Sequence, residues 1–294
     1  MTHRTILLVV MWMSGALVSF SATAIAVRAL ARSFSVFEIL SLRNAAGIGI
    51  LLTFALFNPG LRSSLRPQRM ALHAVRNVVH FGGTYAWTLG VTLLPLATVF
   101  ALEFTTPVWV AGLAVLMLGE RLTASRLIAI VLGFLGVIVI LRPGLETLQP
   151  AALVVLGSAL GFALTAIATK KLTRTIPTFA ILFWMNVMQL PLNLVGSDPA
   201  FWARIDTTHV LPLAGIAVCG LFSHFCLTNA YRHGDATMVV PLDFLRIPLI
   251  AIVGWQLYGE SLDPFVFLGS VFIIAGILWN LRAEARTPLV KPTP

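Results

Sequence analysis

Charge is what this sequence has least of. Only 11% of its 294 residues are Asp, Glu, Lys or Arg, and three of those are lysines. A soluble domain carries about 25% charged residues, so there is too little charge to cover a water-facing surface, and a soluble globular enzyme is excluded. Cysteine is nearly absent too. Cys219 and Cys226 stand on one apolar run, about 10.5 Å apart along a helix at 1.5 Å per residue, beyond disulfide reach, and both read as buried apolar thiols. Also missing are a Gly-x-x-x-x-Gly-Lys-[Ser/Thr] phosphate loop, a His/Cys/Asp cluster with metal-ligand spacing and a Gly-x-Ser-x-Gly elbow. ATP hydrolysis, metal catalysis and acyl transfer therefore have no visible machinery, and no cofactor is expected.

What is present is apolar. Hydrophobic residues make up 58% of the chain and the mean hydropathy is +0.93. They fall in runs at about 5–30, 35–57, 72–93, 96–118, 124–141, 151–171, 177–196, 210–231, 236–258 and 264–282. Each approaches the roughly 20 residues that a helix needs to cross a bilayer. The runs are too long and too uniform for barrel strands. An all-α integral membrane protein of ten transmembrane helices is expected. Breaker clusters such as Asn58-Pro59-Gly60, Arg142-Pro143-Gly144 and Ser197-Asp198-Pro199 supply the reversals between runs.

The net charge of +9 has its explanation in where the basic residues lie. With ten spans both termini share a side. Placing the N-terminus in the cytoplasm collects fourteen Lys and Arg there, among them Arg62, Arg66, Arg69, Lys170 and Lys171. Four, Arg28, Arg32, Arg142 and Arg204, fall on the opposite side, and Arg43 and Arg246 lie within spans. Positive residues favour the cytoplasmic face, so both termini are expected in the cytoplasm of a bacterial-type inner membrane. The basic balance reports orientation, and no nucleic-acid partner is implied.

The first run, ending near Ala22-Thr23-Ala24, mimics a cleavable signal peptide. An internal repeat argues otherwise. Gly15, Phe20, Thr23, Ala24, Ile25 and Ala26 recur 142 positions later as Gly157, Phe162, Thr165, Ala166, Ile167 and Ala168. Phe37, Ile39, Leu40 and Asn44 recur at the same offset as Phe179, Ile181, Leu182 and Asn186. After a two-residue drift Glu103-Phe104, Gly119-Glu120, Leu122 and Gly136 match Asp243-Phe244, Gly259-Glu260, Leu262 and Gly276. The chain thus reads as two five-helix halves, 1–143 and 150–282, followed by a cytoplasmic tail at 283–294. Five is odd, so the halves enter the membrane from opposite sides as inverted repeats. Secondary transporters use this arrangement to face either compartment in turn.

Leu94-Pro95-Leu96-Ala97-Thr98, Pro107, Leu118-Gly119-Glu120-Arg121-Leu122, Gly133 and Gly136 resemble the fourth and fifth helices of the EamA domain of the drug/metabolite transporter superfamily. Ala236-Thr237, Pro241, Pro248 and Gly259-Glu260-Ser261-Leu262 repeat the pattern. The resemblance covers essentially the whole chain as two tandem domains. It implies a ten-helix carrier working by alternating access, with a central cavity formed largely by helices 1–4 and 6–9. Within the superfamily the chain looks most like bacterial aromatic amino acid exporters.

Glu120 and Glu260 precede polar helix starts, Thr123-Ala124-Ser125 and Ser261-Leu262-Asp263, and read as carboxylates that cap the next helix. The glycines of the last helix in each half, Gly133, Gly136, Gly269 and Gly276, read as close-packing positions.

Function is sought among polar groups deep in spans, where a charge costs about 2.5–3.5 kcal/mol or more. The candidates for substrate binding are Asn44, His80, Tyr85, Glu103, Asn186, His224, Asp243 and Arg246, with Trp12, Trp109 and Trp184 as aromatic walls. Arg43 has two readings, a snorkelling side chain or a site residue. Asp243 and Arg246 are three apart and share a helix face. They are either a neutral structural pair or a site in which Arg246 forks onto a substrate carboxylate. Glu103 is the repeat mate of Asp243; inversion puts them roughly 6 Å to either side of their span centres at 1.5 Å per residue, lining opposite halves of one pathway. Pro107, Pro241 and Pro248 interrupt equivalent helices and are candidate gating kinks.

An apolar cavity with few polar groups suits a small amphiphile. The expected function is export of such metabolites, aromatic or other hydrophobic amino acids foremost, across the cytoplasmic membrane. The rivals are a proton-coupled multidrug or cation efflux pump, a lipid translocator and, from another class, a membrane-embedded enzyme or receptor. Proton exchange and facilitated diffusion both remain open.

Overall fold

The computed structural model describes residues 3–93, 99, 102–142, 150–258 and 264–286. Leu94-Pro95-Leu96-Ala97-Thr98, Pro143-Gly144 and Gly259-Glu260-Ser261-Leu262-Asp263 lie outside the described residues. Among the described residues there are helices and no strands. We number the helices α1 (His3–Leu30), α2 (Val36–Phe57), α3 (Pro59–Ser64), α4 (Met70–Leu93), α5 (Thr106–Leu118), α6 (Ala124–Leu141), α7 (Pro150–Thr173), α8 (Thr178–Leu194), α9 (Val210–His233), α10 (Ala236–Val239), α11 (Arg246–Tyr258) and α12 (Pro264–Arg286). A 3₁₀ segment, Val240–Leu245, joins α10 to α11.

Five helices are long and apolar enough to cross a membrane, over Arg4–Val27, Val36–Phe57, Pro150–Thr173, Thr207–His233 and Pro264–Ala285. Three more, Thr106–Leu118, Ala124–Ile140 and Thr178–Leu194, are apolar but shorter. Helix α4 has the length but carries His73, Arg76, Asn77 and His80. The ninth apolar run is broken into α10, the 3₁₀ segment and α11. The apolar surface points outward: Leu116 and Leu211 are each 82% exposed, which a bilayer tolerates and water does not.

Local chemistry fixes the ends. Ser35 opens α2 with a reciprocal box, its hydroxyl accepting from Glu38 N while its own N–H donates to Glu38. Gly119 closes α5 in the left-handed region at φ 67°, a conformation that costs a Cβ-bearing residue more. Thr123 caps α6 by accepting from Arg126 N.

By contacts the chain divides into two compact units. One comprises Met1–Met13, Gly82–Ile167 and Ala230–Pro294; the other comprises Ser14–Phe81 and Ala168–Asn229. The boundaries fall inside α1, α4, α7 and α9.

In the first unit α6 packs along α12. A methyl built on Gly136 would stand 2.5 Å from the Gly269 carbonyl oxygen, and one on Gly276 would stand 3.3 Å from Ala129 Cα. With Gly269 against Ile140 and Arg126 against Glu284, the order of contacts shows that the two helices run antiparallel. The expected role of these glycines in close packing holds. In the second unit α2 packs along α8, also antiparallel: Phe37 meets Gly196, Gly47 meets Asn186, and Leu51 packs with Leu182 and Met185. In both pairs a helix of the first repeat lies against its own counterpart from the second. Equivalent helices that run in opposite senses are what an inverted duplication requires.

The first unit has a small core of Val99, Ala152 and Val155 under Trp87 and Leu102. The second has a larger one around Leu30, Phe34, Ile39, Phe201 and Ile216.

Candidate functional site

The first unit gathers an ion cluster at two breaks in its helices. Glu103 lies on a short helical stretch that ends in a turn at Phe104 and Thr105, where α5 restarts with Pro107 in its first turn. A proline there forfeits no hydrogen bond, since first-turn N–H groups lack helical partners. Asp243 lies on the 3₁₀ segment that contains Pro241, and Arg246 begins α11, with Pro248 again in the first turn. All three candidate gating prolines therefore sit at helix restarts.

Arg246 pairs with Asp243 one turn away and reaches Glu103 at 3.9 Å. Its guanidinium stands 5.5 Å from the centroid of the Phe104 ring, which stacks on Phe244 at 5.8 Å. Glu103 also accepts a 2.7 Å hydrogen bond from the Trp87 indole N–H. The side chains of Glu103, Arg246 and Asp243 keep 12%, 26% and 29% of their exposure. The cluster is desolvated but reachable.

This arrangement corrects the expectation that Glu103 and Asp243 line opposite halves of a pathway. Both meet Arg246. Straight helices with a rise of about 1.5 Å per residue would hold the two acids apart, whereas the chain here turns at Phe104-Thr105 and passes through a 3₁₀ segment whose rise is about 2.0 Å. With all three groups ionised the triad carries one surplus negative charge.

At an end of the same unit Glu120 accepts from Ala236 N (2.9 Å), Thr237 N (3.0 Å) and the Thr237 hydroxyl (2.9 Å). It thus caps α10 of the other repeat, not the helix that follows it, because Thr123 already serves that helix. Beside it, buried Arg126 bonds Glu284 (2.7 Å), Asp235 (2.9 Å) and the Thr237 hydroxyl (2.6 Å). Arg126 is thus held inside the unit, and α12 continues through Glu284 to Arg286, while 287–294 lie outside the described residues. These partners lie 109 to 158 positions from Arg126, so no local pattern points to them.

In the second unit the His80 and His224 rings meet edge-on at 6.0 Å, with Phe20 edge-on to His224 at 5.7 Å. Arg76, 4% exposed, donates to Thr169 Oγ1 (3.1 Å) and Asn77 Oδ1 (2.8 Å), and Gln189 donates to the same Asn77 oxygen (3.2 Å). Asn44 and Asn186, the repeated asparagines, are buried along α2 and α8. Asn186 donates to Leu182 O at 2.8 Å, and a methyl on Gly47 would strike its amide. Trp184 lies edge-on to Phe183.

Trp12 is half-buried on α1, while Tyr85 and Trp109 are exposed. The structure therefore joins Glu103, Asp243 and Arg246 in one unit and His80 and His224 in the other. Trp87, which nothing in the sequence singles out from the other aromatics, emerges as a direct partner of Glu103.

Comparison with known proteins gives a consistent class. A family profile described as the EamA-like transporter family matches residues 7–142 and 149–282. The S-adenosylmethionine uptake transporter of Rickettsia felis is 26% identical over 96% of this chain and 95% of its own length. The riboflavin transporter of Rhizobium johnstonii is 32% identical over 73% of this chain and 71% of its own. The pseudopaline exporter of Pseudomonas aeruginosa is 26% identical over 84% and 86%. One solved crystal structure superposes with a TM-score of 0.77 at 16% identity, covering 95% of this chain and 99% of the other, a likeness of fold.

Proposed function

We propose that this chain, which belongs to the EamA-like transporter family, exports small amphiphiles that carry an ammonium or other cationic centre on an aromatic or apolar body. It is a membrane transporter and not an enzyme. Hydrophobic amino acids are the first substrates in this class, moved across the cytoplasmic membrane by alternating access of the two repeats.

The observation that carries the reading is the triad of two carboxylates and one guanidinium, backed by Trp87 and Phe104. Its surplus negative charge favours a cation, and aromatic faces add roughly 0.5–2 kcal/mol for a partly desolvated one. An entering ammonium can take a carboxylate while Arg246 turns to the substrate's own carboxylate, so the charges stay matched during exchange. S-adenosylmethionine, named for one relative, has an amino acid head, a sulfonium centre and a flat ring, which suits the same chemistry. An acid standing alone, as a proton-driven cation pump requires, is not what Glu103 offers, since Arg246 lies beside it.

The test is counterflow into proteoliposomes of labelled tryptophan, phenylalanine, S-adenosylmethionine and riboflavin, with inside-out vesicles giving the direction. The reading expects exchange of the ammonium-bearing compounds and its loss in Glu103→Gln. Exchange of riboflavin alone, unaffected by Glu103→Gln, would overturn it.

A further inference from the structure

The unit formed by Ser14–Phe81 and Ala168–Asn229 contains three carboxylates, Glu38, Asp198 and Asp206. All three are engaged at one end of it. Glu38 pairs with Arg204 and accepts from Ser35 N and Asp198 N. Asp198 accepts from Ala200 N, and Asp206 accepts from Thr208 N and lies 3.0 Å from His209 Nδ1.

The deeper cations have no such partner. Arg43 runs along α9 so closely that a methyl on Gly220 would stand 3.0 Å from its Cδ. Gly220 is one turn before His224 on the same helix face, His224 meets His80, and His80 is one turn beyond Arg76 on α4. Both guanidinium groups lie within electrostatic range of both imidazoles. Among the described residues Arg43 makes no hydrogen bond or ion pair, and Arg76 donates only to the neutral Thr169 and Asn77. His73 shares the face of α4 with Arg76 and His80, is fully buried, and has neither ring nitrogen bonded.

Two mutually repelling guanidinium groups, one on buried Arg76 and one on half-buried Arg43, are costly without a carboxylate beside them, since charge withdrawn from water is ordinarily paired. Buried polar nitrogens are ordinarily bonded as well. We propose that Arg43, Arg76, His80 and His224 form a binding site for a small oxyanion, a carboxylate or a phosphate, with the Arg43 guanidinium as its principal donor. The planar fork of arginine matches both anions. All four residues belong to the second unit, and the test below does not depend on which molecule the triad accepts.

The test is thermal unfolding of the purified full chain in detergent, titrated with benzoate and with phosphate at constant ionic strength set by chloride. A saturable rise in Tm is expected; with benzoate alone it identifies a carboxylate site, and with phosphate alone a phosphate site. Arg43→Gln weakens the apparent Kd about tenfold or more, the worth of one charge-assisted contact. Arg43→Lys, which keeps the charge and loses the fork, weakens it by less and decides the matter if the glutamine variant does not purify. Exposed Arg62→Gln leaves the titration unchanged. No saturable shift with either anion in the wild type, or wild-type affinity in Arg43→Gln or Arg43→Lys, overturns the proposal.

Discussion

Arg246 is held from two directions by groups of very different sequence distance. Asp243 lies three positions before it and was legible as a helix neighbour. Glu103 is 143 positions away and reaches it only because a turn and a 3₁₀ segment bring the two breaks together. Removing the cation leaves two acids facing each other. Arg246→Ala should therefore insert and purify normally yet lose at least about tenfold in counterflow; wild-type rates would remove Arg246 from the site. Trp87→Phe keeps the ring and deletes the 2.7 Å bond to Glu103. Leaving that carboxylate oxygen short of a donor should cost about 1–3 kcal/mol, read as a lower Tm. Hydropathy could name Glu103, Asp243 and Arg246 because charge is rare in these runs. It could not name Trp87 as a partner, since an indole in an apolar run looks like any other packing ring.

At the scale of elements, periodicity and breakers recovered the helices well, because a membrane span is almost a statement of composition. The departures have physical causes. The ninth run looks continuous in hydropathy, yet Pro241 and Pro248 divide it, since a missing N–H acts on the backbone and leaves hydropathy untouched. The Gly-Glu pair predicts a local cap, but Glu120 reaches across to Ala236 and Thr237. Glu120→Gln retains one acceptor oxygen where the carboxylate had two. The variant should lose about 0.5–2 kcal/mol, measured by detergent denaturation. At the α6·α12 crossing, Gly136→Leu would drive a side chain into the Gly269 carbonyl. Overpacking of this kind costs about 1–3 kcal/mol, and a Tm equal to wild type would contradict the close approach.

For the whole molecule, the repeat was the clearest signal in the sequence and the basic residues suggested its orientation. With Cys219 and Cys226 replaced by alanine, single cysteines placed near Arg62 and near Lys170 should escape an impermeant thiol reagent in intact cells and react after permeabilisation. Labelling from outside at either place would reverse the assigned sidedness. What the sequence does not disclose is how the halves share their interiors. Helix α6 finds its partner in α12 and α2 finds its partner in α8, each across the duplication. A gene severed in the linker between Arg142 and Pro150 would accordingly yield two fragments, each holding only one strip of every shared seam. Either fragment alone should be cleared by membrane proteases, and both made together should persist as a co-purifying pair, so that a protein written as two copies behaves as indivisible once folded.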